Sequence, residues 1–228
     1  MTRAPVARQQ PVARGVDAEP PKNCPLCSRL VAYRSANEVA YPAYFNGPAA
    51  SFGSDDARLL IVGLAPGLHG ANRTGRPFTG DYAGDLLYRT LTKFGFAAGV
   101  YGARADDGLT LTDAMITNAV RCAPPGNKPT PEEIRTCRPH LAARIESLKS
   151  LQAIVCLGRI AHESTVAALG IPSRLAAFAH GAAHAAPGGK VLFDSYHCSR
   201  YNTNTGRLTE LMFERVFEAV RRRLDAAK

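Results

Sequence analysis

The chain has 228 residues, 46% of them hydrophobic, and a formal net charge of +9 at pH 7. The length suits one α/β domain better than two, and no apolar run approaches the roughly 20 residues of a membrane span, so no membrane partner is expected. The charge excess points to a polyanionic partner, most simply nucleic acid, against the plain reading of a generic basic protein.

Residues 1–22 are rich in Pro, Ala and Arg and lack hydrophobic periodicity, so they are predicted to be a disordered basic tail. They lack the apolar core of a secretory signal, and Asp17 and Glu19 argue against a transit peptide, which implies a cytoplasmic protein. A single domain over 23–228 follows. It opens with Cys24-x2-Cys27, which sets two thiolates on one turn. A short helical start (Leu30, Val31, Tyr33) leads into the irregular aromatic stretch Tyr41–Phe45.

Arg58–Val62 reads as the first buried strand. The loop Gly63–Asp81 that follows is far longer than the usual strand-to-helix connection of about 2–6 residues. It lies at the carboxyl end of a strand, where open α/β sheets bind ligands. Leu86, Leu87, Leu91 and Phe94 then mark one buried helix face.

The second strand is about Ala114–Val120, followed by the stiff loop Cys122–Pro129. Thr130, Pro131 and Glu133 predict a capped helix start, with Ile134, Cys137, Leu141, Ile145 and Leu148 facing inward. Ala153–Leu157 is the third strand, and its Cys156 reads as an inert core thiol. A helix over Arg159–Leu169, a loop-rich segment 172–189, a fourth strand Lys190–Asp194 and a last helix of about Leu208–Leu224 complete the chain. Strands alternating with helices predict a three-layer α/β/α fold around a central parallel four-stranded sheet.

Cys24, Cys27, Cys122 and Cys137 could converge as a four-sulfur site for zinc or an iron–sulfur cluster, and disulfides are not expected. In a parallel sheet the loops 63–81, 122–128 and 195–207 leave from one edge. That edge would carry Phe78, Asp81, Asn127 and His197 within a ring of Arg73, Arg76, Arg200 and Arg207. Such a set suits a flat, polar, uncharged group on a phosphate backbone.

Plainer readings compete. Phe78 could be core, Asn127 a turn residue, His197 structural and Asp81 a helix cap. His180 and His184 read as structural, and Arg221-Arg222-Arg223 as a solvated helix face. A cysteine hydrolase using Cys198 is disfavoured because Cys198 and its neighbour His197 point apart. A phosphate loop is disfavoured because the glycines lack a Gly-Lys-Ser/Thr end.

Three long segments resemble the family 5 uracil-DNA glycosylases. They are Gly63-Leu64-Ala65-Pro66-Gly67 running on to Asn72–Asp81, then Val120–Thr130, and Ser195–Arg200 with Asn204–Thr209. The resemblance runs from about Cys24 to the C-terminus. It implies a monofunctional DNA N-glycosylase of base excision repair, acting as a monomer. Such an enzyme flips uracil, or another deaminated base such as hypoxanthine or xanthine, out of DNA and leaves an abasic site.

The resemblance also implies a [4Fe–4S] cluster on Cys24, Cys27, Cys122 and Cys137. Gly63, Ala65 and Gly67 would form the pocket floor, and Phe78 would stack on the base. Asn127 would read the base edge, with Asn118 the alternative reader. His197 would donate to uracil O2, and Asp81 would orient water or stabilise the sugar cation. Ser199, Arg200 and the Asn202–Thr205 run would grip the strand. Ala65 stands where family 4 has Glu and family 1 has Asp, and Cys198 where related enzymes have Pro or another small residue. The competing function is a zinc-stabilised, non-catalytic nucleic-acid-binding module.

Overall fold

The computed structural model describes residues 15–226. In chain order its elements are α1 (Ser28–Ala40), β1 (Phe52–Gly53), β2 (Leu59–Gly63), α2 (Ala71–Thr74), α3 (Tyr82–Lys93), β3 (Ala97–Ala98), β4 (Thr110–Leu111) and β5 (Ala114–Asn118). They continue as α4 (Pro131–Ser147), β6 (Ala153–Leu157), α5 (Arg159–Ala168), β7 (Ala183–Ala186), β8 (Lys190–Ser195), α6 (Arg200–Asn204) and α7 (Glu210–Asp225).

The main sheet has the order β1-β5-β2-β6-β8-β7. Its four central strands are parallel, as the alternating pattern predicts. The expectation of four strands is corrected to six, because β1 and β7 add antiparallel edges. β1 is two residues long, and β7 is Ala-His-Ala-Ala, without a β-branched side chain to signal a strand.

Side chains alternate across the strands and so fill two cores. Leu59, Ile61, Ile116, Val155 and Phe193 meet Leu87 and Leu91 of α3 and Phe213, Phe217 and Val220 of α7. Leu60, Val62, Met115, Ile154 and Leu192 meet Leu141 and Ile145 of α4 and Ala161 and Val166 of α5. Helix starts follow their caps. Thr130 and Glu133 form the expected reciprocal capping box, and Glu133 also takes a bidentate pair from Arg29 at 2.8 and 2.7 Å, tying α1 to α4.

The predicted tail is corrected at residues 15–22, while residues 1–14 lie outside the described part. The Glu19 carboxylate accepts from Arg121 at 3.0 Å, Arg144 at 2.7 Å and the Ser51 amide at 3.0 Å. The Ala18 carbonyl accepts from Arg121 at 2.9 Å, and the Asp17 carbonyl lies 2.6 Å from His140 Nδ1. Arg121 is 1% exposed, and a guanidinium so buried needs this set of acceptors. Composition conveys nothing of such a lock. The Arg221–Arg223 run is also corrected: Arg221 lies 3.8 Å over the Phe96 ring and donates to the Phe94 carbonyl, and Arg223 donates to the Gly189 carbonyl.

Arg76 is a third correction. It is buried rather than part of a cationic ring, paired in bidentate fashion with Asp107 at 2.8 and 2.6 Å among Phe52, Tyr88 and Tyr101. Its Nε also donates to Thr79 Oγ1 at 2.7 Å, so the pair braces the long loop. Asp107→Ala would strand the guanidinium and should lower unfolding stability by about 3–5 kcal/mol. Urea denaturation measures this, and a midpoint equal to that of the unsubstituted protein would show that the pair contributes nothing.

Candidate functional site

β2 and β5 end side by side, with Gly63 paired in register to Asn118. A Cβ on Gly63 would come within 2.6 Å of the Phe78 ring and would collide with Asn118 Oδ1, so the missing side chain is what lets these groups meet. Phe78 sits at φ 53 with its carbonyl held by the Tyr101 hydroxyl at 3.1 Å, while the Tyr88 hydroxyl holds the Pro77 carbonyl at 2.7 Å. Its ring is nearly parallel to that of His197, with centroids 5.9 Å apart and planes 27° apart. Tyr101 carried no sequence signal, since its loop has neither motif nor periodicity.

Asp81 caps α3 with one oxygen and turns the other towards the loop after β2. Its Oδ1 accepts from the Gly84 amide at 3.3 Å at the start of α3. Its Oδ2 faces the chain at Gly67 and Gly70: a Cβ on Gly67 would stand 3.5 Å from Oδ2 and 3.8 Å from Asn127 Oδ1, and one on Gly70 would crowd Oδ2 at 2.5 Å. Burial pushes the Asp81 pKa up, opposed by the amides of Gly84 and Ala83 and aided by Asp85. Ala65, half-buried in the same loop, leaves no acid on that side.

His197 leaves the end of β8, and its carbonyl accepts from Asn202 Nδ2 at 2.8 Å. Burial pushes its pKa down to about 4, so the imidazole is neutral at pH 7. Ser199 turns inward to cap α6 through Asn202 N at 3.5 Å. Arg200 lies 5.2 Å over the Tyr82 ring, and Arg207 4.7 Å over the Tyr196 ring. Arg73 is exposed and donates to the His69 carbonyl at 2.9 Å. Cys198 is fully buried with Sγ 3.5 Å from the Ala83 carbonyl and its pKa pushed up, which removes it as a nucleophile.

The two asparagines differ. Asn118 is 2% exposed, and its Oδ1 and the Phe78 ring both crowd the point where a Cβ on Gly63 would stand. Asn127 is exposed, at φ 58 on a one-turn 3-10 segment, with its oxygen towards Gly67. Asn118, at the strand end beside Phe78, is therefore better placed than exposed Asn127 to meet a ring lying against Phe78.

Cys24, Cys27, Cys122 and Cys137 line one cavity of about 20 Å³ with Leu30, Val120 and His140. Burial first, then the neighbouring thiols, pushes Cys27 up to about 11 and Cys122 up to about 12. Burial raises Cys137 as well, although the Arg121 amide donates to its Sγ at 3.4 Å. Four cysteines lining one apolar cavity are the donor type a soft metal centre takes, and its positive charge would keep them deprotonated. Cys156, by contrast, is buried in β6.

Residues 50–221 match the sequence pattern of the family described as the Uracil DNA glycosylase superfamily. A Type-5 uracil-DNA glycosylase of Thermus thermophilus is 46% identical over 204 residues, covering 87% of this chain and 93% of that protein. One from Pyrobaculum aerophilum is 41% identical over 88% of this chain and 87% of its own length. A Type-4 uracil-DNA glycosylase of Archaeoglobus fulgidus is 38% identical over 48% of this chain and 47% of its own.

Proposed function

This chain belongs to the uracil-DNA glycosylase superfamily, and we propose that its pocket excises uracil flipped out of DNA, with the wider deaminated bases hypoxanthine and xanthine as further substrates. One observation carries the reading: Phe78 lies with Asn118 at side-chain-free Gly63 and faces His197, and Asp81 Oδ2 stands over Gly67 and Gly70 of the same loop. The base would lie against Phe78, a stacking contact of about 1–3 kcal/mol. The Asn118 amide offers a donor and an acceptor to the uracil edge, which matches O4 and N3–H.

Water attacks C1′ as the N-glycosidic bond breaks and its electron pair leaves with the base. A neutral His197 donates a hydrogen bond to O2, where negative charge builds. Asp81 Oδ2 orients the water or stabilises the sugar cation, and its raised pKa makes it the better proton acceptor. Asn127, on its proline-stiffened turn beside Asp81 Oδ2, assists on the water side. Ser199 shapes the α6 turn, and exposed Arg73, Arg200 and Arg207 grip phosphates.

Cys24, Cys27, Cys122 and Cys137 would hold a [4Fe–4S] cluster that ties the Cys24–Cys27 turn to the loop bearing Asn127. A tetrahedral zinc would draw four sulfurs to about 3.8 Å of one another. Among the described residues the four are not gathered within 4.8 Å of one another, and the chemistry of the metal is decided by visible absorption and an iron count. The protein is proposed to work as a cytoplasmic monomer on DNA. No helix of the described residues is long and apolar enough to cross a membrane.

Release of free base from oligonucleotides carrying uracil, hypoxanthine or xanthine tests the activity. A protein that binds these strands but releases nothing would instead be the non-catalytic, zinc-stabilised binding module. Purified protein should show broad visible absorption and about four irons per chain, both lost in Cys27→Ser.

Asp81→Asn keeps an oxygen for the α3 amide and should still slow single-turnover excision by about 10²–10⁴. An undiminished rate would remove Asp81 from the chemistry. Asn118→Ala should cost more in kcat/KM on uracil than Asn127→Ala, and the reverse order would make Asn127 the base reader.

His197, with its pKa lowered to about 4, should show ring resonances that stay put from pH 8 to about 5 and move only below. An unfolded histidine takes its proton near pH 6.5, so this residue removes stability as pH falls from about 6.5 to about 4. An NMR midpoint near 6.5 would contradict the burial.

A further inference from the structure

Away from the pocket, α5, β7 and β8 each place one ligand-type side chain at a single buried point. His162 Nδ1 lies 2.7 Å from Asp194 Oδ1, and His184 Nε2 lies 3.0 Å from Asp194 Oδ2. His162 is 2% exposed and the Asp194 side chain 0%. The two imidazole centroids are 5.4 Å apart with planes at 65°. We infer that His162, His184 and Asp194 form a binding site for a single zinc-type divalent transition-metal ion, separate from the cysteine cavity.

The hydrogen bond on the other side of His162 carries the argument. Its Nε2 lies 3.0 Å from the Ala176 carbonyl, which can only accept, so Nε2 holds the proton. In a neutral imidazole Nδ1 then presents a lone pair to a carboxylate oxygen 2.7 Å away. Two acceptors meet so closely only when they share a proton or a metal ion, and the second imidazole on the same carboxylate favours the ion. An outward N–H fixed on a backbone carbonyl, with the other nitrogen aimed inward, is how metal-bound histidines are held. One ligand atom from each of the three residues falls within 4.8 Å of the other two, and all three are hard or borderline donors that suit zinc.

Access exists. The route is from the His184 side, where that side chain is 13% exposed; the cavity of about 330 Å³ lined by His162, Ala176 and Phe178 reaches neither His184 nor Asp194. Three protein ligands leave one tetrahedral position for water. Such an ion would pin β7 to β8 three residues before His197, bracing the strand that delivers that imidazole. This inference does not rest on the excision chemistry.

The test uses the purified protein with its iron intact. Zinc is titrated against a chromophoric chelator, and bound zinc and iron are counted together. One zinc per chain should bind with iron retained. His184→Ala, at an edge strand that tolerates truncation, should weaken zinc binding by more than the about 10–100-fold that a lost outer partner costs. Asp194→Asn should do the same, with circular dichroism and iron content confirming that both variants fold. Failure of the unsubstituted protein to bind zinc, or variants that bind it as tightly as the unsubstituted protein does, overturns the site. So does ¹⁵N NMR showing both His162 nitrogens protonated in the presence of zinc, since the positive centre is then a proton.

Discussion

The parallel register that sets Gly63 beside Asn118 is the constraint on which the pocket depends. The Phe78 ring can lie against the end of β2 only because position 63 has no side chain. A slip of one residue would present Val62 or Leu64 there and turn each side chain of β2 to the opposite face. The ladder does not stop at the strand ends: Ala119 N donates to the Gly63 carbonyl at 2.9 Å, and Val120 N to the Leu64 carbonyl at 2.9 Å. One run of backbone bonds therefore carries the chain from Asn118 in the pocket to Cys122 in the cysteine cavity. A change that loosens the cysteine cavity acts on the pocket through about four residues of extended backbone.

Arg121 stands in the middle of that run and explains why the segment before Cys24 is ordered. A guanidinium buried next to the sulfurs must be paired, and Glu19 and the carbonyls of Ala18 and Ala49 supply the acceptors. Glu19 is itself partly desolvated, which alone would raise its pKa, yet Arg121, Ser51 and Arg144 bring it below the ordinary value. Its contribution to stability is therefore complete above the ordinary carboxylate range and fades as pH falls through the depressed value. Residues 17–19 hold Arg121 and His140, which line the cysteine cavity with Pro20, rather than acting as a tail.

What the sequence makes legible follows from the range of each signal. The four central strands and the capped helices are local patterns of apolar period and capping residues, and they stand where the pattern places them. The edge strands are not local in that sense: β7 has neither branching nor a strong apolar period and exists because β8 offers it an unpaired edge. Arg76 misleads for the same reason. It sits among glycines and prolines in a motif of polar appearance, while its partner Asp107 is 31 residues away. The choice between Asn118 and Asn127 needs burial, which spacing does not encode. The His162–Asp194–His184 cluster joins three elements across a sheet, and no stretch of sequence shows it.

Asp81 shows why cap and chemistry are poor alternatives for a carboxylate at a helix start. A side chain with two oxygens can hold the α3 amide with one and leave the other free, and the missing side chains at Gly67 and Gly70 keep that second oxygen uncovered. The cap fixes the rotamer, so in the proposed excision the free oxygen would be aimed without further ordering cost. The helix amides stabilise the carboxylate while burial destabilises it, which keeps the group ionisable in a site that excludes bulk water. With Ala65 leaving the opposite side of the loop without an acid, the geometry puts the only capped and uncovered carboxylate oxygen of this loop beside the pocket.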